Sequence, residues 1–301
     1  MNDTSRLHEL PLPALREDNP RDFLAALGLL RLFGHQWPES SPALSWSEKT
    51  GTPLLLLATP PPQDWGHRLW ELLLSLKHSE CNPFGHGKIE SLGPEIFRRI
   101  LLAESKRSDF LAYFYPSLSA QIPHEKSGRR SEFIIESANR SVLKGVDDLL
   151  CSTRNVPDIV ADISGESRVR EVSNTSRWHP AEYQSAAYTA TDPKENKHCD
   201  RLSLNIVALI GLTFYPAVDT TRGRKTLGIR RIQRVTEFSW PVWSPPLRVE
   251  ELTSLLHCPE IHSNTLNAIV LKSIGVYQVW RSRKFCPDGK NDYFTTARPV
   301  F

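Results

Sequence analysis

The segment from Asn19 to Gly34 constrains the fold of this chain most strongly, because its sequence, NPRDFLAALGLLRLFG, is apolar at almost every interior position. An asparagine cap, a proline in the first turn and a terminal glycine predict a helix over 20–33. Such a helix must be covered on most sides. The interior glycine, Gly28, costs about 1 kcal/mol relative to alanine. We therefore expect a second backbone to pack closely against it.

Patterns elsewhere predict short strands and helices in mixed order, without regular strand–helix alternation. We therefore expect an α+β fold, with mixed helices packed on small antiparallel sheets. The predicted strands cover 43–46, 53–58, 132–136, 227–242 and 267–285, and the predicted helices cover 65–77, 94–104, 109–118, 139–150, 201–215 and 248–256.

A polar stretch over 152–176, in which apolar periodicity fades, predicts a boundary between two parts of the chain. Residues 1–151 then form a mainly helical part built on the apolar helix. Residues 152–301 form a basic α+β part. One continuous fold is the alternative.

Composition excludes several classes of protein. Hydrophobic residues make up 40% of the 301 residues, too many for a disordered chain. No apolar run approaches the roughly 20 residues that span a bilayer, so no membrane partner is expected. The N-terminus resembles neither a signal nor a transit peptide, and the 5 cysteines form no CxxC pair. We expect reduced thiols and a cytoplasmic protein.

Motifs for catalysis and metal binding are incomplete in this sequence. A zinc site would draw on His78, Cys81 and His86, on His198 with Cys199, or on His257, Cys258 and His262, but none of these groups supplies a conventional ligand set. The loop over 82–89 lacks the first glycine and the final hydroxyl of a phosphate-binding loop. Asp147, Asp148, Asp158 and Asp162 leave a metal-dependent nuclease as an alternative. We expect no enzymatic activity, no metal and no cofactor.

Charge segregation is the strongest functional signal. The formal charge of the whole chain is only +3, yet the segment 222–234 contains no acidic residue. Arginine binds phosphate with a planar, forked group. A break in alternation at Arg230 and Arg231 predicts a bulge or strand end that exposes both side chains. The predicted phosphate contacts are Arg222, Arg224, Lys225, Arg230, Arg231 and Arg234.

A second basic segment interleaves cations with aromatic residues over 280–285. In a strand, Arg281 and Arg283 share one face at a spacing of roughly 7 Å, which suits successive phosphates, and the interleaved aromatic residues suit base stacking. Lys284 completes this second group. We therefore expect the part over 152–301 to contact nucleic acid. Secondary candidates are Lys88, Lys126, Arg129 and Arg130. The alternative for each segment is an ordinary solvated rim of an amphipathic strand.

Several stretches together resemble proteins of type I-G (formerly I-U) CRISPR loci, namely the small Cas-eight-like subunits and the Cas3-extension-like family. The matching stretches are Asn19–Arg31, Leu44–Trp46, Arg177–Glu182, Thr191–Pro193 and Gly275–Arg283. They follow the same order and span most of the chain.

This resemblance implies a non-catalytic subunit of a type I CRISPR RNA-guided effector complex. The expected partners are guide RNA, target DNA, other CRISPR effector subunits and the helicase-nuclease. In such complexes guide pairing reads the sequence, and protein contacts supply backbone charge and PAM recognition. A protein–protein adaptor remains an alternative. In that case the Trp- and Pro-rich loops over 60–65 and 240–246 are exposed and form the contact, and the arginines meet acidic partner surfaces.

Overall fold

The computed structural model describes a large part of the chain. The described residues are 7–77, 95, 98–99, 102, 114, 116–120, 129–135, 159–167, 170–172, 176–182, 198–221, 223–233, 235–286 and 292–301. The predicted helix over 139–150 and the boundary between residues 151 and 152 lie outside them, so the two-part division stays a prediction.

The described residues form an α+β fold with small antiparallel sheets, as predicted. Their strands are β1 (His8–Pro11), β2 (Ala43–Trp46), β3 (Pro53–Leu57), β4 (Ser119–Ala120), β5 (Arg129–Arg130), β6 (Arg170–Val172), β7 (His198–Asp200), β8 (Ala217–Thr220), β9 (Gly223–Thr226), β10 (Ile229–Ile232), β11 (Val235–Trp243), β12 (Val276–Phe285), β13 (Tyr293–Phe294) and β14 (Arg298–Pro299). Their helices are α1 (Pro20–Gln36), α2 (Trp65–Lys77), α3 (Ile159–Ser164), α4 (Leu202–Gly211), α5 (Val249–Leu256) and α6 (Ala268–Ser273), and short 3₁₀ turns lie at Pro38–Ser40, Pro180–Glu182, Leu212–Phe214 and Pro259–His262.

The centre of the fold is a close crossing of α1 and α4. Asn19 caps α1 by accepting a hydrogen bond from the Arg21 amide, as its sequence position predicts. A Cβ atom on Gly28 would lie 1.9 Å from the carbonyl oxygen of Val207, and one on Gly211 would lie 1.9 Å from that of Leu24. The two glycines therefore allow the helix backbones to touch, which confirms the close approach expected at Gly28.

A larger antiparallel sheet, in the order β10-β11-β12-β13 with β14 also paired to β12, packs on α1. Phe23 of α1 lies beside Phe238 and Trp240 of β11, with ring centroids 6.2 and 5.7 Å apart. A smaller sheet, in the order β1-β3-β2, joins this core through a bridge between Leu44 and Leu247. A single buried cluster draws side chains from both parts of the chain.

Several elements confirm the sequence predictions and others correct them. The helix over 65–77 has the predicted bounds, and the predicted strands over 43–46 and 53–58 form the antiparallel pair of β2 and β3. Residues 131–135 form a buried turn and not a strand. The predicted strand over 267–285 divides into α6 and β12. In the parts of the chain that the structure describes, no helix combines the length and apolarity that crossing a membrane requires.

Candidate nucleic-acid interface

Part of the set of basic residues singled out from the sequence meets at one end of the larger sheet, around two buried glutamates; these residues are Arg224, Arg230, Arg231, Arg281, Arg283 and Lys284. Glu132 belongs to the turn over 131–135, and Glu237 belongs to β11. Both carboxylates are almost fully buried. A buried carboxylate needs cationic partners or hydrogen bonds to offset its loss of hydration. The two glutamates therefore determine where the neighbouring arginines lie.

The turn that carries Glu132 is fixed by aromatic packing against the sheet. The ring of Phe133 packs edge-on against Phe238 of β11, with centroids 4.7 Å apart. The indole of Trp178 donates a hydrogen bond of 2.8 Å to the carbonyl of Phe133. These contacts bring Glu132 next to strands that lie far from it in sequence.

Glu132 binds cations from the first basic segment. Its Oε2 lies 3.1 Å from Nε of Arg224, and its Oε1 accepts a 2.8 Å hydrogen bond from Nη2 of Arg231. Thr226 also donates to the carboxylate. Nζ of Lys284 donates to the backbone carbonyl of Glu132 at 3.1 Å. These five residues form the Glu132 cluster.

Glu237 binds cations from three strands. Its Oε1 accepts hydrogen bonds from Nε of Arg283 at 3.0 Å and from Nη2 of Arg298 at 3.2 Å. Its Oε2 lies 3.8 Å from Nη1 of Arg230. The register pairs Glu237 with Arg230 on one side and with Arg283 on the other, so all three share one face of the sheet. With Arg281, which lies two residues from Arg283 on the same face, these residues form the Glu237 cluster.

Burial lowers the pKa of several cations in the two clusters. Burial, reinforced by the charges of Arg230 and Arg298, lowers the pKa of Arg281 to about 10. The pKa of Arg230 is also lowered, mainly by burial, although Glu237 opposes the shift. Burial likewise lowers the pKa of Lys284, against the opposing effect of Asp292, which lies 3.0 Å away. Repulsion from neighbouring cations thus adds to burial in disfavouring the charged forms of these side chains.

The predicted contact residues differ in how they meet solvent. Arg231 and Arg283 are 56% and 52% exposed, and Lys225 is also exposed. Arg230, Arg281 and most of Lys284 are buried, and Arg281 donates a 2.6 Å hydrogen bond to the carbonyl of Ser263.

The predicted exposure of both Arg230 and Arg231 is wrong. The pairing of β10 with β11 continues past both residues, from Ile229 to Ile232, without a register shift. The two side chains therefore point to opposite faces. Arg230 enters the interior beside Glu237, and only Arg231 reaches solvent.

The remaining candidates are described in part or not at all. Arg222, Arg234, Lys88 and Lys126 lie outside the described residues, and the backbone alone is described for Arg129. The backbone carbonyl of Arg130 accepts a hydrogen bond from Arg224, which places the β4–β5 hairpin beside the Glu132 cluster.

The sequence analysis missed three residues that shape this surface: Glu132, Glu237 and Arg298. The side chain of Arg298 is 55% exposed and binds the same carboxylate oxygen as Arg283. The alternation of β11 puts Glu237 on the face opposite Phe238 and Trp240, so the local pattern indicates an exposed carboxylate and gives no sign that it is buried. Nothing local marks Arg298, because the pairing of β14 with β12 brings it to the site.

The alternative metal and nuclease sites are engaged in other contacts where the structure describes them. The carboxylate of Asp162 accepts hydrogen bonds from the amide and the hydroxyl of Ser203 at the start of α4. Ring nitrogens of His257 and His262 bond to the backbone carbonyls of Thr253 and Leu256. Within the described ranges, no group of three or more His, Cys, Asp or Glu residues could hold a metal ion.

The tryptophans assigned to an adaptor surface lie in the core. Trp240 and Trp243 are fully buried and Trp65 nearly so, so the prediction that they are exposed is wrong. The indole groups of Trp240 and Trp243 donate hydrogen bonds to the carbonyls of Glu17 and Leu44. Pro60, Pro61 and Pro62 line a cleft of about 270 Å³ together with Phe33 and Trp37.

Comparison with known proteins found no match to this chain among family models, curated proteins or solved structures.

Proposed function

We propose that this chain is a non-catalytic nucleic-acid-binding subunit of a type I CRISPR RNA-guided effector complex in the cytoplasm. It contributes to binding of target DNA and the PAM or of guide RNA, and to recruitment of the helicase-nuclease in antiviral defence. The sequence resemblance to type I-G subunits supports the proposal that the chain belongs to a type I CRISPR complex. The arrangement of cations at the end of the larger sheet supports the nucleic-acid contact.

One observation carries the nucleic-acid proposal: Arg231, Arg283 and Arg298 are each about half exposed, yet each is anchored by a buried carboxylate. Anchoring restricts the side chain before a ligand arrives, so less conformational entropy is lost on binding. A guanidinium has five N–H donors, and these ion pairs use only one or two of them. The remaining donors are available to phosphate oxygens.

The charge balance at this end of the sheet favours a polyanionic partner. The carboxylates of Glu132, Glu237 and Asp292 are shared by a larger number of cations. These cations are Arg224, Arg231 and Lys284 on one side, and Arg230, Arg281, Arg283 and Arg298 on the other. Positive charge is therefore in excess. Because Arg231 and Arg283 lie on opposite faces of the sheet, a nucleic-acid strand that contacts both side chains must cross the end of the sheet.

Fluorescence anisotropy with labelled duplex DNA, single-stranded DNA and RNA tests this proposal. The variant combines Arg231→Gln, Arg283→Gln and Arg298→Gln. The matched control combines Lys49→Gln, Arg68→Gln and Lys272→Gln, which removes the same charge from exposed positions in other elements. We expect the interface variant to bind all three ligands at least tenfold more weakly and the control to bind like the unmodified protein. Equal affinities for the two variants would refute the proposed interface.

A protein–protein adaptor is the second candidate, and the cleft along Pro60–Pro62 is the observation that favours it. Size-exclusion chromatography of the protein with guide RNA and with the other products of a type I-G locus separates the two functions. A nucleic-acid-binding subunit shifts with guide RNA or target DNA, whereas an adaptor shifts only with protein partners.

A further inference from the structure

The Glu237 cluster contains more positive charge than its carboxylate balances. Arg230, Arg281, Arg283 and Arg298 surround a single glutamate on one face of the sheet. The side chain of Arg230 is only 6% exposed, whereas Arg283 and Arg298 are half exposed. Two arginines thus lie in the interior, and two lie in front of them at the surface.

Polar atoms inside the cluster lack hydrogen-bond partners. Among the described residues, Nη1 of Arg230 has none, nor has Oε2 of Glu237, since the 3.8 Å between them is too long for a hydrogen bond. Nδ1 of the neighbouring His262 is also buried and has no partner within the described ranges. Buried polar groups are nearly always paired in folded proteins. The described part of the chain therefore satisfies the interior of this cluster incompletely.

Repulsion between the cations adds to the effect of burial on the pKa values in and beside the cluster. Burial lowers the pKa of both interior arginines, and the charge of Arg230 contributes to the shift of Arg281. The pKa of His262 is lowered as well, first by burial and then by the nearby charges of Arg230, His257 and Arg281, while its bond to the Leu256 carbonyl opposes the shift. An anion at the front of the cluster would relieve these repulsions.

The two front arginines are close enough to bind one anion together. Nε of Arg283 and Nη2 of Arg298 contact the same oxygen of Glu237, so these two nitrogens lie no more than about 6 Å apart. Their other guanidinium nitrogens make no hydrogen bond or ion pair with the described parts of the chain. A tetrahedral oxyanion has oxygens on several sides and can accept from both groups at once.

We infer that the Glu237 cluster is a site for a phosphate dianion, and that it binds the terminal phosphomonoester of a nucleic-acid strand in preference to an internal phosphodiester. The inference rests on the proposed function, because a nucleic acid brings the phosphate to the sheet. A phosphomonoester has a charge of about −1.5 to −2 at pH 7, whereas each phosphodiester has a charge of −1. A cluster with this excess of cations favours the more highly charged group.

Paired oligonucleotides of identical sequence, one with a 5′-phosphate and one with a 5′-hydroxyl, test the inference in the unmodified protein. A second pair that differs at the 3′ end covers the opposite polarity. We expect one phosphorylated end to bind about tenfold more tightly than its hydroxyl counterpart, as a strong charge-assisted contact provides. The double variant Arg283→Gln with Arg298→Gln should abolish this preference. The double control Arg68→Gln with Lys272→Gln should keep it.

The outcomes separate this inference from the proposed function. Binding of every oligonucleotide with equal affinity overturns the terminal-phosphate site and leaves the nucleic-acid function intact. Absence of binding to any oligonucleotide refutes both. A preference that survives in the double variant also overturns the inference, because the site then lies elsewhere. If the double variant does not fold, the single variants Arg283→Gln and Arg298→Gln provide the same comparison.

Discussion

Gly28 provides the sharpest test of the fold, because the structure allows no side chain at this position. Its replacement by alanine would place a Cβ atom 1.9 Å from the carbonyl oxygen of Val207. This oxygen belongs to the backbone of α4, so rotation of a side chain cannot remove the clash. The helices must separate instead, and the packing between them must loosen. Overpacking of a core typically costs about 1–3 kcal/mol, with larger values where the backbone must move.

The helix propensity of alanine opposes this cost. Alanine is favoured over glycine by about 1 kcal/mol in a helix interior. Because the clash is with backbone, we place the cost at the upper end of this range, about 3 kcal/mol, and expect Gly28→Ala to lower the free energy of unfolding by about 2 kcal/mol. Gly34 provides a matched control on the same helix, since a Cβ there would meet only Pro42 and Val249 at 3.7 Å. Gly34→Ala should be neutral or should stabilise the protein by up to about 1 kcal/mol.

Denaturant titration followed by tryptophan fluorescence measures both variants in one assay. The midpoint of Gly28→Ala should fall well below that of the unmodified protein, while the slope of the transition stays unchanged. Equal midpoints for Gly28→Ala and Gly34→Ala would show that α1 and α4 do not touch at this glycine, and the close crossing of the two helices would be wrong.

Three further predictions concern buried groups. Glu237→Gln leaves buried arginines without their counter-charge and should lower the free energy of unfolding by about 3 kcal/mol in denaturant titration, whereas Glu250→Gln, on an exposed part of α5, should have little effect. Burial raises the pKa of Glu17 above its ordinary value of 4.5, although the hydrogen bond from Tyr277 opposes the shift. The stability that the protonated Glu17 contributes is therefore complete below pH 4.5 and is lost as pH rises through the raised pKa. Glu17→Gln should remove this part of the pH dependence when the free energy of unfolding is measured from about pH 4 to 8. Trp178→Phe removes the 2.8 Å hydrogen bond to the Phe133 carbonyl and should cost about 1–3 kcal/mol by thermal unfolding, and an unchanged midpoint would contradict the role given to this tryptophan.

Local signals were sufficient to predict the elements whose ends are marked in the sequence. Helix α1 has an asparagine cap, an early proline and a nearly continuous apolar interior, and it forms where these features predict it. The strand prediction over 267–285 gave too much weight to β-branched residues. Asn267 caps α6 by accepting hydrogen bonds from the amides of Ile269 and Val270, and Gly275, with φ of +82°, lies just after its end. Both are ordinary helix-end signals.

The charge pattern predicted where the cations lie in sequence but not what they contact. The absence of acidic residues over 222–234 indicated a free basic patch, yet Glu132 contacts Arg224 and Arg231 from more than 90 positions earlier in the chain. Glu237 reaches Arg230 across a strand pair. Only the three-dimensional register brings these carboxylates to the arginines, so no local pattern could separate the buried arginines from the exposed ones.

The salt dependence of duplex DNA binding is the most direct test of whether the anchored arginines bind a polyanion. Removal of one cation that neutralises a phosphate reduces the slope of log affinity against log salt concentration by about 0.9. If Arg231, Arg283 and Arg298 each bind a phosphate, replacing all three by glutamine should reduce this slope by roughly 2–3, while the control with Lys49, Arg68 and Lys272 replaced should keep the original slope. An interface variant whose slope and affinity match those of the unmodified protein would contradict the claim that these anchored arginines bind a polyanion.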